Sequence, residues 1–151
     1  MSTEDRPIKT VLFLCTGNYY RSRFAEELFN HRSAGCAPEY QAISRALAIE
    51  RGIDNPGPLS RFAIDGLRIR GVTPKGDRRF PRQCVLEDLE RAQCVVALNE
   101  AEHRPLMRER FPQWETRIQY WNIEDVGFLD PKIALATLDA DVNALLKELG
   151  A

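Results

Sequence analysis

The chain has 151 residues, and its 21 basic and 22 acidic side chains give a net charge of −1 at pH 7. This length is typical of one domain, and the balanced charge provides no overall field that would attract nucleic acid or an anionic membrane. Because residues 1–6 have neither the basic start nor the apolar core of a signal peptide, we expect a single cytoplasmic domain over residues 1–151.

Patterns typical of strands and helices alternate along the chain, which predicts a parallel sheet. The predicted strands are residues 11–14, 40–44, 94–98 and 117–121, and the predicted helices are residues 22–29, 60–70, 85–91, 100–110 and 131–149. Gly71 is expected to end the second helix in the left-handed conformation that glycine adopts readily. The predicted fold class is α/β, a doubly wound four-stranded parallel sheet with helices on both faces.

Cys15 and Arg21 are separated by five residues, in a loop between the first predicted strand and the first predicted helix. Free backbone N–H groups and the positive end of the helix dipole meet there, so the loop can cradle a dianion and favour a thiolate. Gly17 permits the positive φ that turns amides inward, and Asn18 tolerates it. Arg21 offers a planar fork for two phosphate oxygens, and its place in the first helical turn, against the dipole, calls for a nearby anion. The sequence therefore predicts a phosphate loop after the first strand.

The loop and the start of the next helix contain the pattern Leu14-Cys15-Thr16-Gly17-Asn18, Arg21-Ser22 and Ala25-Glu26. This pattern resembles the signature of the low-molecular-weight protein tyrosine phosphatases. The resemblance continues, less specifically, over nearly the whole chain, through Ile43-Ser44, Arg82-Gln83, Leu86, Asp88-Leu89 and Val95-Val96-Ala97-Leu98.

The resemblance implies a phosphatase mechanism without metal or cofactor. Cys15 would attack phosphorus to form a phosphocysteine, Arg21 and the loop amides would hold the phosphoryl oxygens, and Ser22 would donate a hydrogen bond to sulfur. The substrate-binding residues would be Thr16, Gly17, Asn18, Tyr19, Tyr20 and Ser22. The expected partner is a phosphorylated protein, a tyrosine kinase being one candidate, and the expected oligomeric state is a monomer or a weak dimer.

Two positions depart from the family pattern. Many members have a second cysteine just before the arginine, where this chain has Tyr20, preceded by Tyr19. Large side chains in an anion-binding loop must point outward, so we expect both tyrosines to form walls of the pocket and to contact the ring of the substrate. Members also often have a histidine before the Arg82-Gln83 pair, which this chain lacks. The hydrogen-bond network that the resemblance assigns to Asn18, Ser22 and Ser44 is therefore expected to be one partner short.

An acid must protonate the leaving oxygen, and the acidic loop after the fourth predicted strand supplies the candidates. The family's acid is usually an Asp followed by Pro, which matches Asp130. However, Asp at an N-cap followed by Pro also starts a helix, and an amphipathic pattern begins right after this pair. Trp121 is the last residue of the predicted strand, and Asp125 lies only four residues beyond it. We therefore favour Asp125 as the acid.

Three alternatives to a tyrosine phosphatase remain. A phosphoarginine phosphatase would use the same loop. A thioredoxin-coupled arsenate reductase needs two further cysteines after the third strand, and no cysteine follows Cys94. A non-catalytic phosphate-binding module would need neither Cys15 nor an acid.

The remaining reactive side chains receive structural interpretations. The four cysteines and two histidines show no metal-ligand spacing. His103 is interpreted as part of a solvated helical face, and Cys84 and Cys94 as apolar core residues.

Overall fold

The computed structural model describes residues 7–150 and contains a four-stranded parallel sheet with the order β2-β1-β3-β4. The strands are β1 (Lys9–Cys15), β2 (Tyr40–Ala46), β3 (Cys94–Ala97) and β4 (Gln119–Tyr120). The helices are α1 (Arg21–Cys36), α2 (Arg61–Ile69), α3 (Leu86–Arg91), α4 (Glu100–Arg110) and α5 (Pro131–Gly150). Two short 3-10 turns, Ile49–Gly52 and Pro112–Trp114, were not predicted.

Both faces of the sheet are covered, which confirms the predicted fold class. On β1, Val11 and Phe13 pack into one cluster, with apolar residues of α1, α2 and α5. Leu12 and Leu14 point the other way and pack with residues of α3 and α4. A strand in a parallel sheet alternates its side chains between two buried faces, which explains why this strand is a continuous apolar run.

Helix α1 and strand β4 are among the elements whose observed bounds differ from the prediction. Helix α1 continues to Cys36 although its second half contains Ser33 and Gly35, which are weak helix formers. An ion pair of 2.7 Å between Arg32 and Asp139 of α5 supports this half, so tertiary contacts override the local preference. Strand β4 has only two residues because its register pairs only Gln119 and Tyr120 with β3.

The end of α2 agrees with the sequence prediction. Gly71 has a φ of 74°. Its N–H donates to the carbonyl of Arg68 at 2.9 Å, and the N–H of Val72 donates to Leu67 at 2.9 Å. These two bonds are the usual way in which a left-handed glycine satisfies the last carbonyls of a helix.

The topology brings three loops together at the carboxyl edge of the sheet. The chain leaves β1 toward β2 on one side, whereas β3 lies on the other side, so the order reverses between β1 and β3. Ligands of doubly wound folds bind at such a reversal. The N–H of Ile123 donates to Leu98 at 2.8 Å, so the loop after β4 crosses the end of β3 and approaches the loop after β1.

Between residues 7 and 150, no helix is both long enough and apolar enough to cross a membrane. The expectation about a signal peptide concerns residues 1–6, which lie outside the described residues.

Candidate active site

The loop from Cys15 to Arg21 connects β1 to α1. In the described part of the chain, no backbone N–H of residues 16–20 donates to another protein group, so these amides remain available to an anion. The left-handed conformation predicted here falls on Asn18, with a φ of 52°, and not on Gly17. Asn is one of the few side-chain-bearing residues that tolerate this region, because its amide can form hydrogen bonds locally.

Cys15 is the first residue of this loop, and it is almost fully buried although it lines the cleft described below. Its sulfur is 2.9 Å from the hydroxyl oxygen of Ser22, which itself accepts a hydrogen bond of 2.8 Å from Nδ2 of Asn18. With the Asn18 amide donating to this oxygen, the hydroxyl proton of Ser22 is free to point at the sulfur. The geometry therefore suits a serine that donates to a thiolate.

The network around Asn18 is complete, so the expectation of a missing partner is wrong. Oδ1 of Asn18 accepts from Nη1 of Arg79 at 3.2 Å and from the N–H of Arg82 at 3.1 Å. The hydroxyl of Ser44 accepts from Asn18 at 2.9 Å and from Arg79 at 3.1 Å, and donates to Glu26 at 2.9 Å. Arg79 thus supplies donors where many family members have a histidine.

Burial dominates the charges of this network. It lowers the pKa of Arg79 and raises the pKa of Glu26, while the ion pair of 3.3 Å between the two side chains opposes both shifts. Arg79 is itself held in place, because its carbonyl accepts a hydrogen bond of 2.8 Å from the buried Arg23. The segment that carries Arg79 is therefore fixed against the phosphate loop.

Arg21 has an anion beside it, as its position in the first helical turn predicted, but this anion belongs to the protein. Nη2 is 2.7 Å from Oε2 of Glu102, and Nη1 is 3.3 Å from Oε1. Nη1 also donates to the carbonyl of Ile123 at 3.0 Å. Burial disfavours the guanidinium charge, yet the neighbouring Cys15 sulfur and Glu102 raise the pKa of Arg21 above its ordinary value.

His103 is fully buried beneath the phosphate loop, so its interpretation as a solvated residue is wrong. Its Nδ1 accepts the N–H of Asn99 at 3.0 Å, and its Nε2 lies 3.0 Å from Glu102 and 3.1 Å from the hydroxyl of Thr16. Burial lowers the pKa of His103, which keeps the ring neutral, with its proton on Nε2. For Glu102, burial is outweighed by the hydrogen bonds from His103, Arg21 and Thr16, which hold its pKa well below the usual range.

The two candidate acids occupy different places. Asp125 lines the cleft over Cys15, with Oδ2 3.7 Å from Nη2 of Arg21. Asp130 caps α5, since its Oδ1 accepts the N–H of Lys132 at 2.8 Å. The structure therefore brings Asp125, and not Asp130, to the wall of the cleft that contains the cysteine.

The cleft has a volume of about 420 Å³ and largely apolar walls. Its lining includes Gly17, Tyr19, Tyr20, Leu59, Phe62 and Val126. Tyr19 donates its hydroxyl to the carbonyl of Pro56, and the ring of Tyr20 packs edge-on against Phe62 at 6.4 Å. Burial and the charge of Asp125 raise the pKa of Tyr20 to about 12, so its hydroxyl stays neutral.

Three predicted substrate-binding residues do not line this cleft with their side chains. Thr16 points toward Glu102 and His103, while Asn18 and Ser22 are fully buried. Only the backbone amides of these residues are placed to serve an anion. Cys84 is buried in the core as expected, whereas Cys94 is only half-buried and packs against the core, and burial raises their pKa values to about 12 and about 11.

A buried thiol at the end of a strand, free loop amides and an arginine that opens the next helix form an arrangement suited to an oxyanion, on a doubly wound α/β fold. The sequence model of the low molecular weight phosphotyrosine protein phosphatase family matches residues 10–132, and the chain belongs to this family. The resemblance stated from the sequence is confirmed.

Several solved structures share the fold. YfkJ from Bacillus subtilis is 21% identical with a TM-score of 0.81, over 96% of each chain. The low molecular weight protein tyrosine phosphatase from T. tengcongensis is 22% identical with a TM-score of 0.72, over 93% of this chain and 97% of that one. The YwlE arginine phosphatase from Geobacillus stearothermophilus is 21% identical with a TM-score of 0.73, over 93% of this chain and 92% of that one. No curated protein matches the chain significantly.

Proposed function

We propose that the protein is a cysteine-dependent phosphatase that hydrolyses phosphotyrosine-type phosphomonoesters on proteins. One observation carries the proposal: the Cys15 sulfur lies 2.9 Å from the Ser22 hydroxyl, in a loop whose amides are free and whose last residue is Arg21. A nucleophile, a donor to that nucleophile and an oxyanion cradle are the parts that acyl or phosphoryl transfer to sulfur requires.

In the first step the Cys15 thiolate attacks phosphorus in line, and the S–P bond forms as the bond to the leaving oxygen breaks. The loop amides and Arg21 stabilise the charge on the three equatorial oxygens. Asp125, in its protonated form, gives its proton to the leaving oxygen. The products are the dephosphorylated substrate and a phosphocysteine.

In the second step the now ionised Asp125 takes a proton from a water molecule, and the oxygen of this water attacks phosphorus. The S–P bond breaks, inorganic phosphate leaves and the thiolate returns. The hydroxyl of Ser22 stabilises the departing thiolate by donating to sulfur, so the same serine assists both steps.

The walls of the cleft favour an aryl phosphate as substrate. Tyr19, Tyr20 and Phe62 are aromatic, and they line the same cleft as Cys15 and Arg21. Aromatic rings pack well edge-on or offset against such walls. Phosphoarginine is the second candidate, because its planar guanidinium can also stack on aromatic rings and Asp125 is near enough to attract its charge. A panel of peptides bearing each phosphoamino acid separates the two.

Arsenate reduction through a thioredoxin relay is disfavoured by the cysteine positions. Such a relay passes a disulfide from the nucleophile to two further cysteines. Cys36 lies at the far end of α1, about 22 Å from the loop at 1.5 Å per residue. Cys84 is buried and Cys94 half-buried, both have raised pKa values, and no cysteine follows Cys94. The proposal also includes a phosphorylated protein as the partner and the cytoplasm as the location.

Replacement of the nucleophile tests the proposal. Cys15→Ser should abolish turnover of p-nitrophenyl phosphate and keep inorganic phosphate binding, because the amides and Arg21 remain. Arg21→Lys should also be nearly inactive, since an ammonium cannot make the bidentate contact. Turnover by Cys15→Ser above the background would refute the assignment of Cys15 as the nucleophile. An inactive wild-type protein that binds phosphate would instead be a non-catalytic phosphate-binding module.

A further inference from the structure

The carboxylate of Glu102 binds the guanidinium of Arg21 end-on, through Nη1 and Nη2. Both oxygens take part, with Oε2 2.7 Å from Nη2 and Oε1 3.3 Å from Nη1, and the carbonyl of Ile123 takes the other N–H of Nη1. Three of the five N–H groups are thereby used. The two that remain, on Nε and Nη2, lie side by side on one edge of the planar group, which is the arrangement that matches two oxygens of a phosphoryl group.

The carboxylate of Glu102 is itself held from several sides. Thr16 of the phosphate loop donates its hydroxyl to Oε2, and Nε2 of His103 is 3.0 Å from the same oxygen. The backbone N–H of Glu102 donates to the side chain of Asn99, the N-cap of α4, at 3.0 Å. Because Nδ1 of His103 accepts the N–H of Asn99, the ring presents a fixed Nε2–H donor to the carboxylate. These contacts fix the carboxylate of Glu102, and so they fix the orientation of the Arg21 guanidinium that it binds.

A carboxylate at this place opposes the binding of an anion. It lies against the arginine that receives the phosphoryl group and beside the loop amides, and its negative charge repels a phosphate dianion across a few ångströms. Ground-state affinity for phosphate therefore gives no reason for a glutamate here. What the glutamate does provide is the orientation of the donor edge of Arg21.

We propose that Glu102 is a positioning residue that holds the Nε and Nη2 edge of Arg21 toward the equatorial oxygens of the phosphoryl group in the transition state of transfer. This inference rests on the proposed function and names a residue that acts through Arg21. The equatorial oxygens of a five-coordinate phosphorus lie in one plane, so the fork must be aligned with that plane. Loosely bound phosphate tolerates a rotated fork. Glu102 should therefore matter more for the transition state than for the ground state.

Glu102→Gln tests this proposal with little change in volume. The amide keeps one acceptor oxygen but turns an NH₂ group toward the other N–H of Arg21, so the two-point grip is lost. The matched control is Glu100→Gln, in the same turn of α4, whose exposed side chain forms an ion pair with Arg104. The ligands are orthovanadate, which forms a five-coordinate adduct on the cysteine sulfur, and inorganic phosphate, which binds as a tetrahedral ground-state ion. Calorimetry measures both affinities.

We expect Glu102→Gln to weaken vanadate binding about tenfold while phosphate binding changes less than about threefold or improves, since misaligning a donor costs less than removing one. The kcat for p-nitrophenyl phosphate should fall in parallel with vanadate affinity, with KM nearly constant. Glu100→Gln should leave all three unchanged. The melting temperature of each variant shows whether the fold is retained.

Equal changes in the two affinities, in either direction, would overturn the inference, and so would the same vanadate loss in Glu100→Gln. If the wild-type protein turns over no phosphate ester, the proposed function fails, but the pair of binding measurements still decides the role of Glu102. Thus the two failures are distinguishable. Wild-type protein that binds neither anion would refute both.

Discussion

Arg79 lies outside the phosphate loop but supports its geometry through Asn18. Its guanidinium and the N–H of Arg82 both donate to Oδ1 of Asn18, which fixes the orientation of the Asn18 amide. Nδ2 must then face Ser22 and Ser44, as observed at 2.8 and 2.9 Å. Because Asn18 holds the left-handed turn of the loop, one arginine from a distant segment supports both the amide cradle and the Ser22 donor.

We predict that Arg79→Met lowers kcat about tenfold and lowers the free energy of unfolding by about 1 kcal/mol, because removing one partner of a partly buried ion pair leaves the Glu26 carboxylate without its counter-charge. Turnover of p-nitrophenyl phosphate and urea denaturation measure the two effects. Arg78→Met, at the exposed neighbouring position, is the control and should change neither.

A second substitution separates stability from positioning. Glu26→Gln in the Arg79→Met background removes the unpaired carboxylate, so stability should recover in part. Activity should not recover, because Asn18 still lacks its donor. Recovery of both together would mean that Arg79 acts only through stability.

Among the secondary-structure elements, the loop between β4 and α5 contains both candidate acids, and the two lie in different surroundings. Asp125 faces the cleft near Arg21, whereas Asp130 begins α5. The first half of the loop therefore belongs to the site and the second half to the helix. In the sequence, Asp125 already differs from Asp130 in the same way, since Asp125 is close to the predicted strand and Asp130 begins the capping pattern of the helix.

Leaving-group chemistry is expected to separate the two acids. Asp125→Asn should reduce turnover of phenyl phosphate far more than that of an aryl phosphate with an electron-poor ring, because a poor leaving group depends most on protonation. Its melting temperature should stay nearly constant. Asp130→Ala should lose an N-cap worth about 1 kcal/mol and show no dependence on the leaving group. A leaving-group dependence in the Asp130 variant alone would reverse the assignment.

At the scale of the whole molecule, Asp139 ties three helices together. It pairs with Arg32 of α1 at 2.7 Å and with Arg70, the C-cap of α2, at 2.5 Å, while lying on α5 itself. Burial alone would raise the pKa of Asp139, but the hydrogen bonds from Arg32 and Arg70 lower it below its ordinary value. The lowered pKa means that the folded state favours the carboxylate.

The contribution of Asp139 to stability should be present at neutral pH and lost on acidification. A group whose pKa is lower in the folded state stabilises the fold above its unfolded pKa, 3.8 for Asp, and stops doing so as the pH falls through the folded value. Asp139→Asn should therefore lower stability at pH 7 by about 1 kcal/mol, or about 3 °C in melting temperature. The difference from wild type should shrink below pH 4. Catalysis should be unaffected.

Asp141 is the matched control on the same helix, with the opposite sign. Burial raises its pKa, so its charged form costs stability at neutral pH. Asp141→Asn should leave the melting temperature at pH 7 unchanged or raise it. If both substitutions lower it equally, loss of helix propensity rather than charge accounts for the change.

The sequence by itself determined the parts whose physics is local. Cys15, the loop and Arg21 lie within seven consecutive residues, and the start of a helix that follows a strand has free backbone amides. Alternating strand and helix patterns determined the parallel sheet, because each pattern shows which faces are buried. The need for an anion beside Arg21 was also readable, since it follows from the dipole of its own helix.

Only the tertiary structure decided which side chains meet this local unit. Glu102 is 81 residues from Arg21, and Arg79 is 61 residues from Asn18. Nothing in their own sequence surroundings distinguishes Glu102 from Glu100, or Arg79 from Arg78. Their roles depend on the order of the strands and on the register with which β1 and β3 pair, which brings the start of α4 beneath the loop. Periodicity reveals which face of an element is buried, but it does not reveal which partner covers that face, and so His103 and Glu102 could be placed only in the folded chain.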